Sequence, residues 1–272
     1  MSLFNFNFAE VITFFAVVVR YSVLFSILPL FGDRMVPGPV KILTSFVVAL
    51  TLFPALVASG EVVPKQANLW AATVGGITGT IALEVVFGLA LGYVARMAFD
   101  GISFGANLIG NFMGFASASY FDPHQESQTE VVAQVQNSLA MLIFLAIDGH
   151  HSMLQAALHS YRIVGIGSAT LGSVFSHQII SISAEVFRYG LQLAGPVAIS
   201  LFSVNLAFGM MSKAVPQMNI FVLSFAVTAF VGFVVLLLSL PEFQEITVDL
   251  FDKSRGWMQD TMAAMSGRTG SL

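Results

Sequence analysis

Long apolar runs broken by short polar or glycine–proline stretches set the pattern of this chain. The first run covers Phe8 to Phe31, with Arg20 as its only interior charge, and ends at Asp33, Arg34 and the breakers Pro37, Gly38 and Pro39. The second covers Val40 to Ser59, where Pro54 is expected to kink or end the helix because proline removes a backbone donor. The third covers Leu69 to Ala98. A fourth, Val131 to Ile147, stops at Asp148, Gly149, His150 and His151, and a shorter helical piece, Ser152 to Tyr161, follows. Gly165 to Ser173 reads as a loop. The fifth run, Gln178 to Met211, is expected to be interrupted by Pro196, and Lys213 and Pro216 mark a break. The sixth, Pro216 to Leu240, carries no charge and is long enough to span a bilayer.

The texture changes after Pro241. Phe243, Ile246, Leu250, Trp257 and Met258 recur at helical spacing, with Glu242, Glu245, Asp249 and Asp252 on another side. This predicts a short amphipathic helix outside the bilayer, followed by a disordered end from Gly267 to Leu272.

Between the third and fourth runs lies Gly101 to Pro123. It carries Gly101, Gly105, Gly110 and Gly114 and no lysine, arginine or glutamate. Each glycine costs a helix interior about 1 kcal/mol relative to alanine, so this composition predicts a mobile or closely packed centre rather than a rigid helix. The pairs 101/105 and 110/114 also satisfy the G-x-x-x-G spacing of close helix packing. Both readings stand on the residues alone. In the third run, Gly76, Thr80, Glu84, Gly88 and Gly92 fall four apart on one helix face. Such a face lies against protein rather than lipid, with Glu84 either in contact with another subunit or satisfied between packed helices.

Composition agrees. The 272 residues are 56% hydrophobic and 10% charged, with a mean hydropathy of +0.84. Soluble domains average about 25% charged residues. The net charge of −4 gives no basic footprint for nucleic acid, and the absence of cysteine excludes disulfides and thiolate metal sites. No lysine or arginine precedes Arg20 and no cleavage-type sequence follows the first run, so that run is expected to be retained. Basic residues are too sparse to orient the segments.

Catalytic signatures are few. There is no phosphate loop and no G-x-S-x-G elbow. Asp148, His150, His151 and His159 are the one cluster resembling a metal site, read here as a polar cap on a helix end. Arg20, Glu84, Asp100, Asp148, Glu185, Arg188 and Lys213 are charges in or beside apolar runs, most of them near predicted segment ends; Glu185 and Arg188 are placed to pair on one face.

Five strings, in order, resemble the FliR family of flagellar export proteins, whose injectisome counterpart is often called SctT. They are Arg20 with LFSILPLFGDRMVPGPVK through Lys41; Glu84, Gly88 and Gly92; GANLIGNFMGFASASYFDP; Phe144 to His151 with Ser160 and Tyr161; and Lys213 through Phe221. Two local departures are the missing proline after Tyr161 and Ser224-Phe225-Ala226 where the family often has Gly-Phe-Pro. Ala194 to Pro196, Pro216 to Asn219 and Leu223 to Phe225 are also similar to FliQ, a smaller export subunit.

The resemblance implies an all-α polytopic membrane protein of about six hydrophobic helical segments arranged as helical hairpins. A FliP-like part, 1–175, with a plug loop at 101–123, would join a FliQ-like hairpin, 176–241, and an amphipathic tail, 242–272. It implies a membrane subunit of the flagellar type III export gate in the bacterial inner membrane and basal body. Its partners would be FliP and FliQ, with FlhB, FlhA, lipid and unfolded export substrates. No cofactor, metal or catalytic residue is implied. Gly105, Gly110, Phe112, Met113, Gly114 and Phe115 would form the plug, the aromatic and methionine side chains sealing the pore. Gly76, Glu84, Gly88, Gly92, Pro216, Gln217 and Asn219 would pack against neighbouring subunits. The rival readings are the same role in a virulence injectisome, an intramembrane metalloenzyme using Asp148, His150 and His159, and an independent secondary transporter.

Overall fold

The computed structural model describes residues 7–29, 36–115, 129–214 and 220–267. These residues are helical, with no β-strand among them. The helices are α1 (Phe8–Ile27), α2 (Gly38–Ala58), a 3-10 turn (Pro64–Gln66), α3 (Ala67–Trp70), α4 (Val74–Phe112), α5 (Thr129–Ala146), α6 (Gly149–Ile163), α7 (Ser173–Ala214), α8 (Ile220–Leu238) and α9 (Leu240–Met265). α1, α2, α4 and α7 are each long and apolar enough to cross a membrane. The number rises to six if Val131–Ala146 with Gly149–Ile163, and Leu223–Leu238 with Leu240–Met265, each count as one bent span. The chain is a polytopic, all-α membrane protein, as the hydropathy pattern predicts.

Three expectations about helix breaks change. Gly101–Phe112 is not a loop: it is the last third of the 39-residue α4. Pro54 lies inside α2 and Pro196 inside the 42-residue α7, without ending either. A proline deletes one intrahelical bond, a local loss that ends neither helix. The predicted short tail helix is α9, of 26 residues, and Phe243, Ile246, Leu250, Trp257 and Met258 are buried as its periodicity requires. The plug residues beyond Phe115, together with Pro216, Gln217 and Asn219, lie outside the described residues.

The chain divides into two compact units, 1–97 with 150–182 and 253–272, and 98–149 with 183–252. In the first unit α1 begins at an Asn7 cap, whose side chain accepts from the Glu10 N–H at 2.8 Å. Its buried face is Thr13, Ala16, Val17, Arg20, Tyr21 and Leu24, a three–four alternation. Phe14 meets the edges of Phe46 and Phe53 of α2 at 5.5 Å each. On the α4 side, a Cβ at Gly88 would stand 3.1 Å from the Arg20 carbonyl oxygen, and one at Gly92 3.1 Å from Ile27 Cβ. The glycines therefore let α1 and α4 touch backbone to side chain. The end of α9 ties down the loop after α6: Thr170 donates from its N–H (2.9 Å) and its hydroxyl (3.0 Å) to the Met265 carbonyl.

In the second unit the distal part of α4 crosses α7 at glycines. A Cβ at Gly105 would meet the Gly190 carbonyl oxygen at 2.7 Å, and one at Gly101 the Val186 carbonyl oxygen at 3.3 Å. Ser103 donates to Asn137 Oδ1 of α5 at 2.9 Å. Phe99, Phe144 and Phe251 cluster at centroid distances of 5.2, 4.8 and 5.0 Å. Tyr189 donates to Asp249 at 2.5 Å. Ile109, Met113, Val132, Ala194, Val197, Leu201 and Leu236 form the apolar core.

The crossing at Gly105 is tested by paired substitutions. Gly105→Ala is expected to destabilise the protein by about 1–3 kcal/mol, since the added methyl meets backbone that cannot rotate away. Gly79→Ala, facing open space on the same helix, is expected to be neutral or stabilising by up to about 1 kcal/mol. Thermal unfolding of the detergent-solubilised protein reads both; equal shifts would refute the close-approach account.

Candidate functional site

Two constructions stand out, one in each unit. The first is centred on Arg20, which is 1% exposed in the middle of α1. A guanidinium has five N–H donors, and all five are used. Nε donates to Glu84 Oε2 at 2.5 Å and Nη2 to Glu84 Oε1 at 3.0 Å. Nη1 donates to Ser160 Oγ and to the Val164 carbonyl, both at 3.1 Å, and Nη2 also reaches the Gly165 carbonyl at 3.3 Å. Tyr161 and Phe87 lie over the cation at 3.9 and 4.4 Å. Glu84, also 1% exposed, accepts a further bond from the Gly167 N–H at 2.8 Å. Gly167 has φ +67, and a Cβ there would stand 3.0 Å from Thr80 Cγ2. One ion pair thus fastens α1, α4, the end of α6 and the 164–167 turn to one another.

Of the two readings of Glu84, the one in which it is satisfied between packed helices describes its contacts within the chain, and Gly88 and Gly92 lie against α1. Their face is filled by the chain's own α1 and by the turn after α6. Gly76, half-buried at the start of α4, donates its N–H to Thr73 Oγ1 at 3.1 Å and belongs to the helix start. Arg20 and Glu84 are interior to their helices, as their places in the apolar runs predict, and Glu185 and Arg188 pair at 3.3 Å on an exposed face.

The second construction is the segment that ends α4. The Met113 N–H donates to the Ile109 carbonyl at 2.9 Å and the Gly114 N–H to Asn111 at 3.1 Å. Gly114 has φ +86, the left-handed glycine turn that closes a helix C-terminus. Met113 is fully buried against α8: a Cβ at Gly232 would stand 2.6 Å from Met113 Cγ and 2.9 Å from Cε. The Thr228 hydroxyl lies 3.3 Å from the Met113 carbonyl and donates to the Ser224 carbonyl at 2.9 Å. Phe115 packs on Phe225 and Phe233 at 6.1 and 6.2 Å. Of the residues predicted for the plug, Gly105 and buried Gly110 are thus helix residues, Gly105 at the α7 crossing, while Phe112 ends α4 with 40% of its surface exposed. Met113, Gly114 and Phe115 form a turn seated on α8. The seat, Phe225, Thr228, Gly232 and Phe233, escaped the sequence reading. Its one signal is that Ser224, Thr228 and Gly232 fall four apart in an otherwise apolar helix.

Of the histidines, His159 directs Nδ1 to the Gln155 carbonyl of its own helix at 2.8 Å and does not join a metal-holding group with His150 and His151 among the described residues.

The model of the bacterial export proteins, family 1, matches residues 11–254. Three relatives each bear the name flagellar biosynthetic protein FliR. The one from Pectobacterium carotovorum subsp. carotovorum is 31% identical over 256 residues, 93% of this chain and 94% of the relative. That of Escherichia coli K12 is 27% identical over 252 residues, 93% of each chain. The Bacillus subtilis 168 protein is 26% identical over 253 residues, 92% of this chain and 94% of the relative.

The ion pair makes a sharp prediction. Removing one partner leaves the other charge buried and unpaired, at a cost of about 3–5 kcal/mol. Arg20→Met and Glu84→Leu are each expected to deplete the folded chain from the membrane fraction. The double variant should lose clearly less than the two singles added together, falling short of the parent because the Val164 and Gly165 carbonyls lose their donor. Thermal unfolding and immunoblots of membranes measure this; strictly additive losses would refute the pairing.

Proposed function

The chain belongs to family 1 of the bacterial export proteins, and from that premise we propose that it is a membrane subunit of the flagellar type III protein export gate, helping to form and close the channel for unfolded flagellar proteins. The observation that carries this is the family match over residues 11–254, with the flagellar name on relatives covered almost end to end. That name favours the flagellar role over a virulence injectisome, an intramembrane metalloenzyme or an independent transporter.

As an export component the chain works with other export proteins. The finer reading is that FliP and FliQ subunits surround it in a hetero-oligomer, with FlhB and FlhA on the cytoplasmic side, in the inner membrane at the flagellar basal body. The exposed apolar side chains Ile199, Phe202, Leu206 and Met210 on α7, and Phe230, Leu237 and Leu238 on α8, supply surface for such subunits or for lipid. The role is non-catalytic: the energy of export enters through other components.

Within this reading Met113 to Phe115 is the closing segment and the face of α8 that bears Thr228 and Gly232 is its seat. Apolar side chains without fixed charge suit a seal against water and ions that must release a passing chain.

Deleting the gene is expected to retain hook and filament proteins inside the cell, and re-expression to return them to the medium, as immunoblots of medium and cells will read. Normal flagellar secretion in the deletion strain would sink the proposal. The seat has its own test. The chain has no native cysteine, and the approach at Gly232 puts the pair Met113→Cys with Gly232→Cys within disulfide reach. Oxidation should lock the segment and stop secretion, and a reductant should restore it. A fully formed bond with unimpaired secretion would show that the segment need not leave α8.

A further inference from the structure

Beside the seated segment is an open recess of about 280 Å³ whose lining carries no charged side chain. Its polar groups are the amides of Asn111 and Asn205 and the hydroxyls of Ser224 and Thr228, and Phe112 and Phe225 are its aromatic walls. Both asparagines are exposed, Asn111 in the last turn of α4 and Asn205 in the distal half of α7. Thr228 is occupied by the Ser224, Phe225 and Met113 carbonyls, so the groups available to a ligand are chiefly the two amides.

The chemistry of these groups is specific in class. A side-chain amide offers a carbonyl acceptor and N–H donors, the same complement that every peptide unit of a polypeptide presents along its main chain. Two amides across one recess therefore match an extended backbone irrespective of its side chains. The aromatic walls accept apolar side chains with little demand on shape. The missing charge matters equally. Unfolded proteins carry both signs, and a fixed charge in a partly desolvated recess would hold one sign and repel the other. The volume falls just below the range of about 300–1,000 Å³ typical of small-molecule pockets, which suits a short stretch of extended chain and excludes a folded domain.

We infer that this recess, through Asn111 and Asn205, is a sequence-independent contact site for the main chain of an unfolded polypeptide. The inference rests on the export-gate reading and adds to it which residues touch the cargo and by what chemistry. It also explains why a recess against the closing segment is lined with amides rather than continuing the apolar surface of α7 and α8.

The test uses the full-length chain in its assembled complex in cells. The photoreactive residue p-benzoylphenylalanine replaces Asn111 or Asn205, and separately Leu171, an exposed residue of the first unit. Export is jammed with a flagellar substrate fused to a tightly folding domain. Irradiation is expected to attach the stalled substrate at 111 and 205 but not at 171. Asn111→Leu and Asn205→Leu, at normal membrane levels of the chain, are expected to lower secretion of hook and filament proteins by the same factor, about two- to ten-fold each, the scale of one neutral hydrogen bond. Adducts only with neighbouring membrane proteins, or a loss confined to one substrate, would overturn the inference. Failure of the underlying reading is separable. If secretion does not depend on the chain at all, the export role falls; if it does depend on the chain while 111 and 205 give no substrate adduct, the recess alone is overturned.

Discussion

The first unit depends on a charge that has no route to water. Arg20 sits in the middle of an apolar helix, 1% exposed, and burying a guanidinium is costly unless its charge and every donor are answered. Each of its five donors is matched, two to Glu84, one to Ser160 and two to carbonyls of the 164–165 turn. The fork is flat, and rings lie against it. A lysine supplies the charge but neither the planar fork nor the stacking. What the pair contributes is therefore less net stability than uniqueness: only one arrangement of α1, α4, the end of α6 and the turn satisfies all partners together. The glycines at 88 and 92 belong to the same construction, because α1 must lie close on α4 for Arg20 to reach Glu84.

Much of this was legible, and the unread part has a physical reason. The apolar runs gave the helices, since a run long enough to span a bilayer leaves few other structures for its backbone groups. The spacing of 76, 80, 84, 88 and 92 correctly announced a face turned to protein. It did not say whose protein, because the complement, Arg20, lies 64 residues away in sequence and a spacing rule reports only its own helix. At Gly101 to Phe112 two readings were open, and the close-packing one given by the G-x-x-x-G spacing describes the structure. Propensity makes each glycine a cost, whereas tertiary contact favours glycine at Gly105, where an added Cβ would stand 2.7 Å from the Gly190 carbonyl oxygen, and makes a tight fit at Gly101, at 3.3 Å from Val186. Among Gly101, Gly105, Gly110 and Gly114, only Gly114, at φ +86, adopts a left-handed backbone. Pro54 and Pro196 show that one missing hydrogen bond inside a long apolar helix is a local loss that need not end it.

The turn that ends α4 is held by a different balance. Thr228 first satisfies its own helix, donating to the Ser224 carbonyl at 2.9 Å, and reaches Met113 only at 3.3 Å. That polar contact adds at most about 1 kcal/mol. Burial of the Met113 side chain in the Gly232 notch contributes about 1.5–3 kcal/mol, and the edge-on contact of Phe115 with Phe225 about 0.5–1.5 kcal/mol beyond its area. The sum is a few kcal/mol, most of it from apolar burial rather than from the polar contact. Breaking a buried ion pair at the same place by removing one partner would cost about 3–5 kcal/mol, because a charge would be left unpaired. An apolar side chain in a glycine notch leaves no such charge behind. The two sites thus rest on different physics: a fully buried charge pair at Arg20 and Glu84, and uncharged apolar packing at Met113 to Phe115.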